Sequence, residues 1–172
     1  MKQFKYIILI VLGFSMHIQA QNQSSLVAHY KAFYDQMQQQ GDIQGVINAM
    51  THLVVLEPNV QRKDTLAALY MNEGKYVQAL NLIGVEQLES DTNLATEVKA
   101  VSLKSLNEPK RAIEHYEALY KQKRTVSLAY ELADLKIQTN DITGASLHIT
   151  YGIANSTTDM MKTYYETQTP YQ

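Results

Sequence analysis

The sequence predicts an all-α fold of about four helix-turn-helix repeats followed by a C-terminal helix. Four residues that tolerate a left-handed backbone stand thirty-three positions apart: Gly41, Gly74, Asn107 and Asn140. A helix commonly needs such a residue where it stops and the chain turns. The sequence on both sides of each position is periodic near 3.6 residues and rich in Ala, Leu, Gln, Glu and Lys. Each of the four therefore marks a turn between two helices.

Small and bulky residues recur at fixed distances from these turns, which supports the repeat. Seven positions before and five after each turn stand mostly small residues, which let two antiparallel helices approach closely: Tyr34, Ala67, Ala100, Ala133, Val46, Ala79, Ala112 and Ala145. Nine positions after each turn stand bulky residues: Met50, Ile83, Tyr116 and Ile149. Lys99 is a charged residue at a position where the other repeats have Phe33, Leu66 and Leu132, and the sequence does not explain it.

One repeat carries a recognisable residue pattern. Val-Val-Leu-Glu-Pro-Asn at residues 54–59 is followed, in order, by Leu66, Ala67, Tyr70, Gly74, Tyr76 and Ala79. With a period of about 34 residues, this pattern resembles the tetratricopeptide repeat. The resemblance implies a right-handed α-solenoid over residues 21–172, with repeats at about 25–58, 60–91, 93–124 and 126–155. Residues 157–168 are expected to form a helix that caps the last repeat.

The first twenty residues, MKQFKYIILIVLGFSMHIQA, have the order of a secretory signal peptide: two lysines, an apolar run and a small residue at the end. A buried helix and an uncleaved membrane anchor are the alternatives. The apolar run from Tyr6 to Met16 is much shorter than the roughly 20 residues of a membrane span, which favours cleavage after Ala20. We therefore expect an exported protein, periplasmic or extracellular, without stable membrane insertion.

Charge and cysteine content narrow the possible partners and the source of stability. Removal of Lys2 and Lys5 with the signal leaves 13 Lys and Arg against 17 Asp and Glu, a net charge of −4. A nucleic-acid partner is not expected, because neutralising phosphates requires a basic face. The chain has no Cys, so burial rather than disulfide bonds must stabilise the exported fold.

The sequence shows no motif for a nucleophile, a metalloprotease or a phosphate-binding loop, and no cofactor is expected. His115 and His148 stand thirty-three apart, which the repeat explains more simply than a metal site. A glycan-cleaving enzyme with Asp64 and Glu97 as paired carboxylates is a weaker hypothesis, because glycosidases need an enclosed cleft. We expect a protein that is not an enzyme and binds no metal.

The resemblance implies that first helices line a concave groove where a protein or peptide partner binds. Of the residues that the family uses to clamp a C-terminal carboxylate, only Lys31 fits, and Asp35 and Asp64 oppose it. A segment with basic and apolar residues is therefore favoured. Transferring the repeat register places Tyr130 in this groove, and the expected groove residues are Lys31, Asp35, Gln38, Asp64, Met71, Asn72, Glu97, Lys104, Tyr130, Asp134 and Gln138.

The favoured function is therefore a non-catalytic protein-interaction module of the periplasm or cell envelope. The alternative is a structural subunit of an envelope assembly, or a homo-oligomer, that uses the ends and the convex face of the repeat array. The sequence leaves the oligomeric state and the identity of the partner open.

Overall fold

The computed structural model describes residues 23–156, 163 and 166–167. The secondary structure of residues 23–156 confirms the all-α prediction. Residues 23–156 contain eight helices and no strand. The helices are α1 at residues 23–40, α2 Ile43–Leu56, α3 Val60–Asn72, α4 Tyr76–Ile83, α5 Asn93–Ser105, α6 Pro109–Gln122, α7 Val126–Gln138 and α8 Ile142–Asn155.

Two predictions concern segments that lie wholly or largely outside the described residues. The expected signal peptide, residues 1–20, lies entirely outside them. Of the expected capping helix at 157–168, Thr163, Glu166 and Thr167 are described, and all three are helical. Among the described helices, none combines the length and the apolar character that crossing a membrane requires.

The chain divides into two compact units, Met1–Leu66 and Ala67–Gln172. In the first unit, the Tyr30 ring of α1 stacks on the His52 ring of α2, with centroids 4.2 Å apart. The Gln23 side chain, also on α1, donates a hydrogen bond of 2.8 Å to the Leu56 carbonyl at the end of α2. The apolar residues buried in this unit are Val27, Met37, Val46, Ile47, Ala49, Met50, Leu53 and Leu66.

In the second unit, α5 packs against α6, α7 against α8, α6 against α7, and α4 against α5. Its main hydrophobic cluster draws on α4 to α7 and consists of Leu80, Ala100, Leu103, Ala112, Tyr116, Leu132 and Leu135. A second cluster joins α7 and α8 through Ala133, Ala145 and Ile149. The alanines beside the turns contribute no side-chain bulk, so paired helices lie close together, as the sequence predicted: Ala67, Ala79, Ala100, Ala112, Ala133 and Ala145 are each 0% exposed.

The four turn residues have the left-handed backbone that the sequence predicted. Their φ angles are 70° for Gly41 and Gly74, 60° for Asn107 and 62° for Asn140. Each N–H donates to the carbonyl three residues earlier, and the next N–H donates to the carbonyl five residues before it; for Asn107 the distances are 3.0 Å to Lys104 and 2.9 Å for Glu108 to Leu103. This pattern satisfies carbonyls that the helix end would leave unpaired.

The starts of three first helices show a second regularity that the sequence reading missed. The side chains of Asn59, Thr92 and Thr125, again thirty-three residues apart, accept hydrogen bonds from the backbone N–H three positions on. These distances are 2.8, 3.0 and 3.2 Å. Asn and Thr are favourable N-cap residues for this reason. The register is therefore marked at both ends of these helices.

Lys99, which the sequence left unexplained, anchors an irregular loop. Helix α4 ends at Ile83, after only eight residues, and the chain crosses residues 84–92 without helix. Lys99 is 0% exposed, and its Nζ donates to the Glu86 carbonyl at 2.7 Å and to Asp91 Oδ2 at 2.6 Å. Asp91 also accepts from the Leu88 N–H at 2.9 Å. The buried cation thus holds the two sides of the loop together.

His115 on α6 fastens the same loop. Its ring is 1% exposed, with Nε2 3.0 Å from the Val85 carbonyl and Nδ1 2.6 Å from Gln87 Oε1. Burial lowers the His115 pKa below its usual value, and the nearby Lys99 cation acts in the same direction. Two buried polar side chains from α5 and α6 therefore replace the packing that a longer α4 would provide.

Candidate partner-binding site

A half-open cavity of about 540 Å³ lies between α5, α6 and α7 of the second unit. Its apolar lining comes from Val101 of α5, Tyr116 and Leu119 of α6, and Leu128 of α7. Val101, Leu119 and Leu128 also pack against the main hydrophobic cluster, to which Tyr116 belongs. The floor of the cavity is therefore the outer side of a packed core, which fixes its shape. Its volume is within the range of small-molecule ligand pockets.

Charged side chains surround this floor. Glu97 of α5 and Glu131 of α7 line the cavity, together with Lys123, which follows α6. Lys104 of α5 forms an ion pair with Glu131 and so ties α5 to α7. Glu97 is exposed and takes part in no ion pair among the described residues. The lining thus presents one carboxylate that is available to solvent and a second that Lys104 holds in place.

The Tyr116 hydroxyl reports on the electrostatics of the cavity. Burial raises the Tyr116 pKa well above its ordinary value, and the carboxylates of Glu131 and Glu97 raise it further. A negative charge on this phenol would face both a low-polarity environment and two anions. Burial and the two carboxylates therefore all favour the neutral phenol.

Solved structures of two other proteins have a similar helical fold. A tetratricopeptide repeat protein from Parabacteroides merdae superposes with a TM-score of 0.65 at 16% identity, over 86% of this chain and 59% of that one. The chain has a tetratricopeptide-like fold. MamA protein superposes with a TM-score of 0.67 at 16% identity, over 86% of this chain and 88% of that one. No family model and no curated protein matches the sequence.

The predicted groove residues in the second unit of this tetratricopeptide-like fold have different surroundings. Glu97 lines the cavity, and Lys104 contacts it through Glu131. Tyr130 is partly buried and packs against the cluster that joins α7 and α8. Met71 is also partly buried, against the cluster of Ala67, Ala79 and Val98, while Asn72 is exposed. Farther along α7, Gln138 is exposed and donates a 2.8 Å hydrogen bond to Asp134.

The four predicted groove residues of the first unit are not equivalent to one another. Lys31 is engaged in an ion pair of 3.1 Å with Glu57, and the hydrogen bond from Lys31 is the largest cause of a lowered Glu57 pKa. Gln38 donates to the Tyr34 hydroxyl at 3.0 Å, and Asp35 is exposed. Asp64 is only 5% exposed, so its carboxylate is not a solvent-facing group.

Sequence reasoning missed two contributions to the cavity. Glu131 was not selected because it stands nine positions before its turn, whereas Glu97 stands ten before. The signal that could have found it is Lys104, an opposite charge three positions before the preceding turn. The wall from the second helix α6 was also missed, because only first helices were considered: Tyr116, Leu119, Gln122 and Lys123. A short turn between α6 and α7 brings this wall to the site.

The equivalent histidines of the fold do different things. His115 binds the loop after α4, whereas His148 of α8 packs edge-on against the Tyr120 ring at 4.9 Å. Within the described residues, no cluster of three or more His, Asp or Glu side chains could hold a metal ion. Of the two carboxylates considered for glycan cleavage, Asp64 is buried in the first unit and Glu97 is exposed in the second.

Proposed function

We propose that this protein is a non-catalytic interaction module that binds a segment of another exported protein, with the cavity between α5, α6 and α7 as part of the binding surface. The observation that carries the proposal is the half-open cavity with its floor formed by core residues. A site that is already shaped requires little ordering when a partner binds. Binding of this kind needs no cofactor.

The fold likeness supports the proposal without supplying a partner. Tetratricopeptide-like repeats present successive helices as an extended surface, and such surfaces are used for protein binding. The proposal rests on the site in this chain, because a fold by itself does not define a function.

Site-specific photocrosslinking in the native host tests the proposal. A photoreactive residue replaces Ser127, which is exposed and lines the cavity. The matched control replaces Leu147 on α8, which is 70% exposed and is not a lining residue. We expect one partner protein to be captured from position 127 and not from position 147. Equal capture from both positions, or capture of nothing at position 127, would contradict the proposal.

A second candidate function is a structural subunit or homo-oligomer, and two exposed apolar side chains favour it. Val55 on α2 is 76% exposed and Leu147 on α8 is 70% exposed. Large exposed apolar residues can mark association surfaces. Sizing of the purified protein at micromolar concentration distinguishes the candidates, since the first expects a monomer. A stable oligomer that Leu147→Lys or Val55→Lys dissociates would favour the second.

The location of the protein is part of the proposal. We propose that residues 1–20 direct export and are removed, which places the mature chain in the periplasm or outside the cell. The two lysines, the apolar run and Ala20 support this. Mass spectrometry of the protein recovered from the native host should find Gln21 as the first residue. Recovery of the chain with Lys2 and Lys5 still attached would contradict it.

A further inference from the structure

We infer that the cavity between α5, α6 and α7 receives an arginine side chain from the partner segment, with Glu97 as its main charged contact. The inference rests on the proposed function and names the chemistry of its ligand. It depends on the combination of an apolar floor with carboxylates on two of the three walls.

The shape and chemistry of the floor suit the stem of a long basic side chain. Val101, Leu119 and Leu128 form an apolar surface within the cavity. Arginine and lysine bury their aliphatic stems along such surfaces while their charged heads remain near water or a counter-ion. A short polar residue would leave this surface uncovered, and a purely apolar one would give Glu97 no ion-pair partner.

The position of the charges selects a cation over an anion. Glu97 is exposed at the cavity wall and lacks an ion-pair partner among the described residues, so it can accept hydrogen bonds from a ligand. Glu131 on the α7 wall is held by Lys104, and its carboxylate and that of Glu97 both raise the Tyr116 pKa, after burial as the larger cause. An acidic side chain placed beside Glu97 would be repelled by its carboxylate.

Arginine fits this geometry better than lysine. Its planar guanidinium can form two parallel hydrogen bonds with one carboxylate and can lie against an aromatic ring, and Tyr116 supplies such a ring in the lining. A lysine ammonium would make a single point contact and is more strongly hydrated.

Lys123 allows a test of whether the ligand is a cation or an anion. It is the single basic residue of the lining, and it is exposed. If the ligand is a cation, removing the Lys123 charge should strengthen binding, while removing the Glu97 charge should weaken it. An anionic ligand would reverse both effects.

The experiment is an NMR titration of the ¹⁵N-labelled protein, purified from cells that express the full-length chain. The probes are two blocked tripeptides, acetyl-Leu-Arg-Leu-amide and acetyl-Leu-Gln-Leu-amide. We expect the arginine peptide to shift the amides of Glu97, Val101 and Leu128 at roughly tenfold lower concentration than the glutamine peptide. Raising the salt concentration should weaken the binding of the arginine peptide but not that of the glutamine peptide.

Matched variants test which charges act. Glu97→Gln should lower the affinity for the arginine peptide by about three- to fivefold. Lys123→Gln should raise this affinity by about twofold, a change typical of exposed ion pairs. The controls are Glu108→Gln and Lys110→Gln at the opposite end of α6, where Glu108 makes no side-chain cap hydrogen bond. Neither control should change the affinity. A well-dispersed spectrum of each variant verifies that it is folded.

Several results would overturn the inference. They are equal binding of both peptides at the cavity, no shifts at the lining amides with either peptide, or stronger arginine-peptide binding by Glu97→Gln together with weaker binding by Lys123→Gln. Free arginine or spermidine binding as tightly as the peptide would indicate a small-cation site instead of a docking site.

The proposed function can survive such a failure. If the partner segment crosslinked from position 127 contains no arginine near the crosslink, the inference fails and the proposed function stands. If no partner is captured from position 127 but the peptides bind as expected, the site chemistry stands and the proposed function fails.

Discussion

The α5–α6 and α7–α8 helix pairs share a register but differ in what they bury. At equivalent positions, the first pair has the cation Lys99 and the second has Leu132, and both side chains are fully buried. His115 and His148 are also equivalent, yet the first binds a loop through hydrogen bonds and the second packs on an aromatic ring.

The two helix pairs bury different side chains because the helices that precede them differ in length. Helix α4 ends at Ile83, with Gly84 at a φ of 83°, whereas α6 continues to Gln122. The loop after Ile83 places the Val85 and Glu86 carbonyls outside any helix, and the buried side chains of His115 and Lys99 donate hydrogen bonds to them. The longer α6 remains helical past the equivalent position and presents the Tyr120 ring to His148. A change in one helix is therefore compensated by polar side chains in the next repeat.

The cation Lys136 shows the same contrast. It lies near His148, as Lys99 lies near His115, but its partners Glu117 and Asp141 are about half exposed. Burial lowers the Lys136 pKa, but the hydrogen bonds to Glu117 and Asp141 outweigh it and raise the pKa overall. Lys99 pairs with an Asp91 carboxylate that is itself 9% exposed. The two ion pairs should contribute very differently to stability.

The substitution Lys99→Met should have the largest effect on stability. Removing the buried cation leaves the Asp91 carboxylate and the Glu86 carbonyl without their donor, which should cost about 3–5 kcal/mol of unfolding free energy. Lys136→Met, whose partners are exposed, should cost about 1 kcal/mol or less. Urea denaturation followed by circular dichroism measures both. Equal losses would show that the loop anchor is no more important than a surface ion pair.

Deletion of the two histidine rings should give a smaller difference in the same direction. His115→Ala removes the hydrogen bonds that the buried ring makes with the Val85 carbonyl and the Gln87 side chain, and should cost about 2 kcal/mol. His148→Ala loses an edge-on aromatic contact and should cost about 1 kcal/mol. Hydrogen exchange provides a local check, because only His115→Ala should speed exchange at the amides of residues 85–91. Faster exchange there in both variants would contradict the assignment.

The pH dependence should come from both regions. Burial lowers the pKa of His115 and of His148 below the ordinary value of about 6.5, so the unfolded chain binds more protons as the pH falls. The stability that neutral imidazoles contribute is complete above pH 6.5 and is lost as the pH falls toward the lowered pKa values. The urea midpoint should therefore fall between pH 7 and pH 5.

Substitution separates the two contributions to this fall. His115→Asn and His148→Phe should each remove part of the decrease, and the double variant should remove more than either. If the double variant has the same pH profile as the parent protein, these histidines are not its source.

The smallest expected effect is a gain in stability. Ser102 of α5 is fully buried at a position where α7 has Leu135, and its hydroxyl lacks a hydrogen-bond partner among the described residues. Ser102→Ala removes the unsatisfied group and should raise the free energy of unfolding by about 1 kcal/mol. The control Ser105→Ala, at an exposed position on the same helix, should change little. A loss of stability on Ser102→Ala would indicate that the hydroxyl has a partner after all.

The sequence could predict those features of the site that depend on local interactions, and it could not predict those that depend on contacts between distant residues. Glu97 lies exposed on a first helix, and helix register alone puts it there. Its neighbour Glu131 is thirty-four residues away, and the two line one cavity only because α5 and α7 both pack against α6. Tyr130, one residue before Glu131, packs instead against the α7–α8 cluster. A shift of one position on a helix turns a side chain by about 100°.

The sequence by itself determined the helix pairs, their turns at Gly41, Gly74, Asn107 and Asn140, and the alanines at the crossings. These features depend on the backbone preferences of single residues and on a fixed period, both of which can be read along the chain. The tertiary structure alone decided the burial of Lys99, the contrast between His115 and His148, and the cavity. These depend on where α4 ends and on which helices meet, because a buried charge is stable only where distant segments provide its partners.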